Sequence, residues 1–238
     1  MRKRTWHLFR VLSQPRSASS SSPKLARMRR TPAVSVSELS PAGFTGRLDE
    51  LLAVYAAAMR PPPELLAGRR AIMAGHAANP GFRALAVTDD ATGQAAGFGY
   101  GFHGTGGQWW HDTVNRALTA SRGDAVAAAW LGDSFEVAEL HVAPDYQGHG
   151  VGADLLLRLA SGRPERTALL STRDADTPAR RLYRGTGFTD LLTAFHFFPG
   201  GEPPYAVMGA ELPLRERSPA RSGGTTPPAP RALRPSRS

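Results

Sequence analysis

Residues 135–160, FEVAELHVAPDYQGHGVGADLLLRLA, place a strand, a glycine-rich turn and a helix in direct succession. The apolar start predicts a strand over 135–142 that ends before Pro144. Leu155, Leu156 and Leu159 recur at helical spacing and predict a helix over 153–161. A glycine turn that enters a helix gathers backbone N–H groups at the positive end of the helix dipole. This stretch therefore predicts a site for a phosphate-bearing ligand.

The glycines narrow the ligand class without identifying the ligand. Gly150 and Gly152 let the backbone approach a diphosphate without an intervening Cβ. A nucleoside-triphosphate loop needs a lysine after its last glycine, whereas no lysine follows Lys24. A dinucleotide fingerprint needs a third glycine where Ala153 or Leu155 stands, and it belongs at the first strand of its domain. Both alternatives therefore fit this chain poorly.

Two motifs in this chain resemble those of the GNAT superfamily of N-acetyltransferases. Gln147-Gly148-His149-Gly150-Val151-Gly152 matches the pattern Arg/Gln-x-x-Gly-x-Gly/Ala, and the lead-in Leu140-His141-Val142-x-Pro144 is also typical. Downstream, Ala179-Arg180-Arg181-Leu182-Tyr183-Arg184-Gly185-Thr186-Gly187-Phe188 is similar to Ala-x-x-Leu-Tyr-x-x-x-Gly-Phe. The resemblance covers roughly residues 34–211.

The resemblance implies an α/β fold with a mixed, mostly antiparallel central sheet that is flanked by helices. This sheet would splay open between strands 135–142 and 167–172, and acetyl-CoA would bind in the gap as co-substrate. The backbone of Leu140, His141 and Val142 would pair with the pantetheine arm. The N–H of Leu140 would polarise the thioester carbonyl. The loop residues would hold the diphosphate; they are Gln147, Gly148, His149, Gly150, Val151, Gly152 and Ala153.

The resemblance also implies two catalytic side chains. Tyr183 would protonate the leaving thiolate as general acid, although a tyrosine there also suits simple packing of its helix. Glu136 would accept the proton of the amine, since strand alternation gives it the same face as Leu140 and Val142. Glu139 would point to the opposite face and is the weaker candidate base. An ion pair with an arginine is the alternative role for either carboxylate.

Other side chains are assigned lesser roles. His111, His141 and His196 are weaker candidate bases, and His141 is expected to serve packing, opposite in parity to Glu136. Arg180, Arg181 and Arg184 are expected to be solvated rather than bound to the 3′-phosphate of CoA. Asp176 or Thr177 is expected to cap the helix 177–185. Three tryptophans are candidate walls of the acceptor pocket: Trp109, Trp110 and Trp130.

Periodicity and breakers predict the remaining elements. The aromatic residues of 97–102 alternate with glycines, which predicts three rings on one face of a strand and close approach of a ligand or another element on the other. Residues 103–134 are interpreted as a long excursion with a helix at 114–131. The other predicted helices are 46–59, 64–78 and 177–185, and the other strands are 34–37, 82–88, 167–172, 190–198 and 205–211.

The basic charge is concentrated at the two ends of the chain. Residues 1–30 hold nine Arg or Lys and no acid, and residues 215–238 hold six Arg and one Glu. Because the formal net charge is +9, residues 31–214 carry about −5. We therefore predict disordered tails at 1–32 and 214–238 around an acetyltransferase domain at 33–213. Residues 1–27 have the composition of a mitochondrial transit peptide, but a translation start at Met28 is the preferred interpretation.

Composition excludes several classes of chemistry. The chain has no cysteine, which rules out disulfides, thiolate metal ligands and a cysteine nucleophile. No apolar run approaches the roughly 20 residues that a membrane span needs. We therefore expect a cytoplasmic protein with no membrane partner and no metal.

The sequence predicts an N-acetyltransferase in which an amine attacks the acetyl-CoA thioester directly. A catalytically silent acyl-CoA-binding or sensing module is the main alternative. Nucleic-acid binding through the basic tails ranks third, because the central part of the chain is acidic. This acidity mildly favours a cationic amine, while the identity of the acceptor and the formation of a homodimer are left open.

Overall fold

The computed structural model describes residues 32–198 and 203–215. Within these residues seven strands form one sheet in the order β1-β2-β3-β4-β5-β7-β6. Every neighbouring pair is antiparallel except β4 and β5, which are parallel. This topology confirms the predicted α/β class with a mixed, mostly antiparallel sheet. The strands are β1 Val34–Leu39, β2 Arg83–Asp89, β3 Ala95–Gly104, β4 Ser134–Val142, β5 Thr167–Arg173, β6 Thr189–Phe195 and β7 Tyr205–Glu211.

Seven helices flank the sheet. Near the amino end of the described chain lie α1 Pro41–Gly46, α2 Leu48–Met59 and α3 Leu66–His76; α4 Trp109–Arg122 and α5 Asp124–Leu131 lie between β3 and β4; α6 Val151–Ala160 and α7 Pro178–Gly185 follow. The apolar face of α6 packs on β2, β3 and β4, while α2 packs on the opposite face of β3 and β4. α4 and α5 bury their apolar residues against β5, β6 and β7.

Glycine and aromatic residues alternate along β3, as the sequence predicts. Phe98, Tyr100 and Phe102 are buried together beneath α2 and α3. On the other face there is no room for a side chain, because a Cβ on Gly99 would lie 2.9 Å from Cδ1 of Leu140. The glycines of β3 therefore admit a neighbouring strand and its side chains.

Residues 103–134 differ from the single helix predicted at 114–131. They form two packed helices, and the first begins five residues earlier, at Trp109. The break falls at Gly123, which adopts φ 88° at the junction of α4 and α5. A glycine tolerates this positive φ without a Cβ clash, so one helix ends and the next begins there.

Most of the other predicted bounds agree with the structure to within a few residues. The short helix α1 is absent from the predictions, and the predicted strand 190–198 ends earlier, at Phe195. The predicted tails lie outside the described residues, apart from residue 32 and residues 214–215. The separator Pro199-Gly200-Gly201 also lies outside them. The boundaries of the domain stay a prediction.

Candidate active site

A gap opens in the sheet where β4 and β5 separate. The two strands pair only over Ser134–Glu136 and Thr167–Leu169, and their later residues diverge. A cavity of about 160 Å³ lies between the diverging segments. Its lining comes from both strands and from α7, and it includes Leu140, His141, Ser171, Thr172 and Tyr183. Parallel strands that separate in this way expose a row of backbone groups to a ligand that lies between them.

The glycine loop leads from the end of β4 into the first turn of α6. The Gln147 side chain folds back on the strand, since its Nε2 donates to the Val142 carbonyl oxygen over 2.8 Å. Gly148 and Gly150 adopt φ values of 82° and 84°, and open space surrounds the position of a Cβ on either residue. Gly150 precedes the helix, and no side chain caps the first N–H groups of α6. These exposed donors at the positive end of a ten-residue helix suit a diphosphate.

The sequence predicts that Gly152 lets the backbone approach a diphosphate, but in the structure this glycine lies against other side chains. A Cβ at this position would lie 3.3 Å from Cδ1 of Leu182 and 3.7 Å from Cγ2 of Val142. The missing side chain therefore lets α6 approach α7 and β4 closely. The sequence pattern does not distinguish this packing glycine from the two glycines that face open space.

A β-bulge in β4 reverses the predicted facing of its carboxylates. Tyr100 pairs with Glu139 and Gly101 pairs with Val137, so Ala138 has no partner in β3. One inserted residue moves every later side chain to the other face. Glu136 and Glu139 consequently line the same cavity, whereas the sequence places them on opposite faces.

The same bulge corrects two other assignments. Leu140 packs into the core beneath α6, on the face away from Glu136. His141 lies on the face of Glu136 and Glu139, where its ring packs edge-on against Tyr55 at 5.1 Å. The predicted pairing of Glu136 with Leu140 and Val142, and the predicted separation of His141 from Glu136, are therefore wrong.

Glu139 is held as a paired anion. Its Oε1 accepts from Nη1 of Arg69 at 2.7 Å, and its Oε2 contacts Nε2 of His141. Burial acts to raise the pKa of Glu139, but the charges of Arg69 and His141 outweigh it and lower the pKa to about 2. A carboxylate with so low a proton affinity is a poor general base, and its pairing with arginine matches the alternative role given to it above.

Glu136 has no such partner. It is 6% exposed, and no hydrogen-bond partner for its Oε2 atom is found in the part of the chain that the structure describes. Burial raises the pKa of Glu136 from 4.5 to about 8. A carboxyl with this pKa is poised to gain and lose a proton near neutral pH.

Glu136 lies in a second cavity, of about 260 Å³, that is enclosed between α3 and the start of α4. This acceptor cavity shares several lining residues with the gap between β4 and β5, so the two spaces adjoin; the shared residues are Arg69, Val137, Ala138, Glu139 and Ser171. Trp109 and Trp110 line this cavity, and their role as walls of an acceptor pocket stays a prediction. Trp130 does not line it, because its ring lies over Gly209 near the far end of the sheet.

Tyr183 lies on α7 and lines the gap between β4 and β5. Its ring is 8% exposed and packs against Phe188 at 5.8 Å. Burial, with a smaller effect of the Glu139 charge, raises the pKa of Tyr183 above its usual value of 10.0. The hydroxyl therefore keeps its proton at neutral pH and can donate it.

The polar residues of α7 are more buried than predicted. Thr177 caps the helix, since its side chain accepts from the N–H of Arg180 at 3.1 Å. Arg180 was expected in solvent, but it is 7% exposed and bridges Asp174 to Asp190. Arg181 and Arg184 remain about half exposed, as predicted.

The two remaining candidate histidines lie away from the carboxylates. Nε2 of His111 lies 3.2 Å from the Leu131 carbonyl oxygen, which ties α4 to α5. His196 is exposed after β6. Neither residue lines either of the two cavities.

Three residues of the site are missing from the sequence predictions. Arg69 and His76 lie on α3, and Ser171 lies on β5. Burial lowers the pKa of His76 to about 4, which keeps the ring neutral. Arg69 lies on the apolar side of a predicted helix, which is an unusual place for a cation. This placement is the signal in the sequence that could have indicated a role for Arg69 in the site.

Comparisons with known proteins point to one family. The family model of an acetyltransferase (GNAT) domain matches residues 106–190. A GCN5-like protein acetyltransferase of Mycobacterium tuberculosis is 35% identical over 207 residues, which cover 76% of this chain and 100% of that protein.

Solved structures share the fold at low sequence identity. The ribosomal-protein-S18-alanine N-acetyltransferase of Escherichia coli aligns with a TM-score of 0.53 at 18% identity, over 82% of this chain and 100% of that one. An acetyltransferase of the GNAT family from Desulfovibrio desulfuricans aligns with a TM-score of 0.51 at 18% identity, over 75% of this chain and 99% of that one.

The described residues contain neither a candidate membrane-spanning helix nor a candidate metal site. None of their helices is long and apolar enough to cross a membrane. Within residues 32–198 and 203–215, no group of three or more histidine, aspartate or glutamate residues could hold a metal ion.

Proposed function

This chain belongs to the GNAT acetyltransferase family, and we propose that it transfers an acetyl group from acetyl-CoA to an amine by direct attack on the thioester. Membership of the family makes it an acyltransferase. The acetyl donor, the amine acceptor and the roles of individual residues are the content of the proposal. The observation that carries it is the unpaired, buried carboxyl of Glu136, which lines the cavity next to the gap between β4 and β5.

The donor would occupy the gap between β4 and β5. Backbone N–H groups around Gly148, Gly150 and the start of α6 would bind its diphosphate, where two glycines leave the approach open. The backbone of 140–142 lies beyond the last β4–β5 pair and would pair with the pantetheine arm. The N–H of Leu140 would donate to the thioester oxygen as negative charge develops on it.

The acceptor would reach the thioester from the side of α3 and α4. Its nitrogen would form the new bond to the acetyl carbon while the bond from that carbon to sulfur breaks. The proton released by the nitrogen would pass to Glu136, and the leaving thiolate would take a proton from Tyr183. A pKa of about 8 lets Glu136 take up a proton near that pH, and the raised pKa of Tyr183 keeps its hydroxyl protonated before the thiolate leaves.

The name of the Mycobacterium tuberculosis relative extends the range of acceptors to be tested. That relative is a protein acetyltransferase, so amino groups on proteins belong in any acceptor panel alongside small amines. In the acceptor cavity the Arg69 guanidinium is bound to Glu139, and Glu136 becomes a further anion when it loses its proton near pH 8, which favours a cationic amine at that pH.

The proposal is tested in two stages on the full 238-residue chain. Acetyl-CoA at 100 times its Kd should stabilise the folded protein by about 2.7 kcal/mol, which is measured as a rise in Tm. Release of free thiol is then followed with a panel of amines. Because the chain has no cysteine, every thiol detected comes from CoA.

The two stages also separate this function from its main alternative. A rise in Tm with no thiol release for any amine would identify a silent acyl-CoA-binding module. A folded sample whose Tm does not change at millimolar acetyl-CoA would reject the donor itself.

A further inference from the structure

Resting on the proposed amine acetylation, we propose that the acceptor cavity selects an amine on an alkyl chain with no carboxylate beside the amine. We assign this selection to the wall formed by Trp109 and Trp110 at the start of α4. Three features of the cavity carry the inference: its charge, its polar groups and its aromatic wall.

The charge of the cavity disfavours an amino acid. Among its described lining residues Arg69 is the only cation, and its guanidinium is bound to Glu139 and lies 4.9 Å over the ring of Tyr55. His76 is neutral at physiological pH. A carboxylate next to the reacting amine would therefore lie near the Glu139 anion and the carboxyl of Glu136, while the one cation among these residues is already bound to Glu139.

The polar side chains of the cavity are mostly bound within the protein. The Gln108 amide accepts from the Thr105 N–H and donates to the His103 carbonyl oxygen, both over 3.0 Å. Nδ1 of His76 lies 3.1 Å from the hydroxyl of Tyr100. The Gln108 and His76 side chains therefore have little hydrogen-bonding capacity left for a ligand.

A peptide backbone would be poorly satisfied in such a space. Its N–H and C=O groups would lose water and find few partners, which costs binding free energy. An alkyl chain has no such groups along its length, so only its terminal nitrogen needs a partner, and Glu136 can supply one. The small number of available polar groups in the cavity therefore favours an amine on an alkyl chain over the amino terminus of a peptide.

The aromatic wall is held rigidly. The indole Nε1 of Trp110 donates to Oγ of Ser171 over 3.2 Å, which ties α4 to β5 at the edge of the gap. Trp109 stacks on Phe198, with ring centroids 5.4 Å apart and an interplanar angle of 12°. Flat, fixed rings bind methylene groups along their faces and attract an ammonium by cation–π interaction before the proton is lost.

A series of amines tests the inference on the unmodified protein. From ethylamine to pentylamine, kcat/KM for thiol release should rise by about threefold to fourfold per methylene, the increment expected for burial of each CH₂. Alanine should be a poor acceptor, because its carboxylate has no cation. Alanine methylamide should also be poor, because its amide is left unsatisfied.

Two further acceptors distinguish the sources of such an amine. Equal kcat/KM for pentylamine and for Nα-acetyl-lysine methylamide would indicate that the alkylamine alone is recognised. A much larger kcat/KM for a lysine within a folded protein would show that surfaces beyond the cavity add to recognition. Either result supports the proposed chemistry of the cavity.

A pair of tryptophan variants tests the wall. Trp109→Ala should lower kcat/KM for pentylamine at least tenfold and flatten the dependence on chain length, with acetyl-CoA affinity unchanged. Trp130→Ala is the matched control, because it removes a half-buried indole from the same insertion at a site away from the cavity. Equal losses in the two variants would contradict the assignment of the wall.

Different results would contradict this inference and the proposed function on which it rests. If alanine or alanine methylamide is acetylated as fast as pentylamine, the inference is overturned and the acetyltransferase stands. If no amine releases thiol although acetyl-CoA binds, both are overturned.

Discussion

Glu136 and Glu139 lie three residues apart on one strand and face the same cavity, because Ala138 between them is bulged out of the pairing with β3. Their environments shift the pKa values of the two carboxyls in opposite directions. Arg69 and His141 hold Glu139 as an anion, whereas Glu136 is buried with no cation beside it and its pKa rises to about 8. Opposite pKa shifts of two carboxyls in one site suit separate tasks, and we propose a structural one for Glu139 and a chemical one for Glu136.

Replacing Glu136 with glutamine should abolish most of the acyl transfer. The variant keeps the shape of the side chain but cannot accept the proton, so kcat/KM should fall by about 10²- to 10⁴-fold. For the unmodified protein, kcat/KM should rise with pH up to about 8, where Glu136 loses its proton, and this rise should be missing in Glu136→Gln. Glu165→Gln is the control, since Glu165 is equally buried but pairs with Arg163 and lies outside both cavities. Comparable losses in both variants would argue against a base.

The same substitution should change how stability depends on pH. Because folding raises the pKa of Glu136 from 4.5 to about 8, the folded chain retains a proton that the unfolded chain releases in this range. The free energy of unfolding contributed by this group therefore falls as pH rises from about 4.5 to about 8 and is constant above. Relative to the unmodified protein, Glu136→Gln should gain on the order of 3 kcal/mol between pH 4.5 and pH 8. Urea unfolding at several pH values measures this difference, and a difference independent of pH would show that the carboxyl is not held neutral.

Removing the hydroxyl of Tyr183 should affect turnover more than binding. Tyr183→Phe keeps the packing against Phe188 and removes the proton donor. We expect kcat to fall by roughly 10²-fold while the Kd for acetyl-CoA stays within about threefold. Tyr205→Phe provides a matched change on the same gap. If Tyr183→Phe turns over normally, the residue serves packing alone.

Alanine at Gly150 should weaken donor binding as well as stability. Gly150 has φ 84° next to the proposed diphosphate site, and Gly93 has φ 72° in the turn between β2 and β3. Alanine at either position is strained by about 1–2 kcal/mol, and neither Cβ would meet another atom within 4 Å. Both variants should therefore lose similar stability, while only Gly150→Ala should raise the Kd for acetyl-CoA, by tenfold or more. Calorimetric titration with acetyl-CoA decides between a role in binding and a role in the turn alone.

The buried ion pairs of Arg180 should stabilise the end of the sheet. Arg180 bonds Asp190 over 2.9 Å and also pairs with Asp174, whose other oxygen accepts from the N–H of Ala194 over 2.6 Å. Arg180→Ala leaves Asp174 without its cation and leaves Asp190 with Arg184 alone, and should cost about 1–3 kcal/mol of unfolding free energy because both aspartates are partly exposed. Arg181→Ala, one residue on and about half exposed, should cost under about 0.5 kcal/mol. Similar costs for both would mean that the Arg180 network contributes little.

The resemblance of two motifs was sufficient for the family and the sheet class, and local patterns predicted where the glycine loop lies. Glycine at positive φ, an apolar helical stripe and a proline at a strand end act within a few residues of one another, so their spacing predicts local structure directly. For the same reason the loop 147–153, the helix of Tyr183 and the gap beside Leu140 lie where the motifs place them.

Contacts between segments that are distant in sequence determine which side chains face the cavities and how they pair. The facing of Glu136 depends on an unpaired residue in β4, and a bulge arises from pairing with β3 that no local pattern records. Arg69 meets Glu139 across 70 positions of sequence, and Trp110 meets Ser171 across 61. The sequence by itself thus determined that the chain has a GNAT fold, and it predicted a glycine loop suited to a phosphate-bearing ligand. Only the tertiary structure determined which carboxyl is left unpaired and which rings enclose it, because burial and pairing are properties of the assembled sheet and helices.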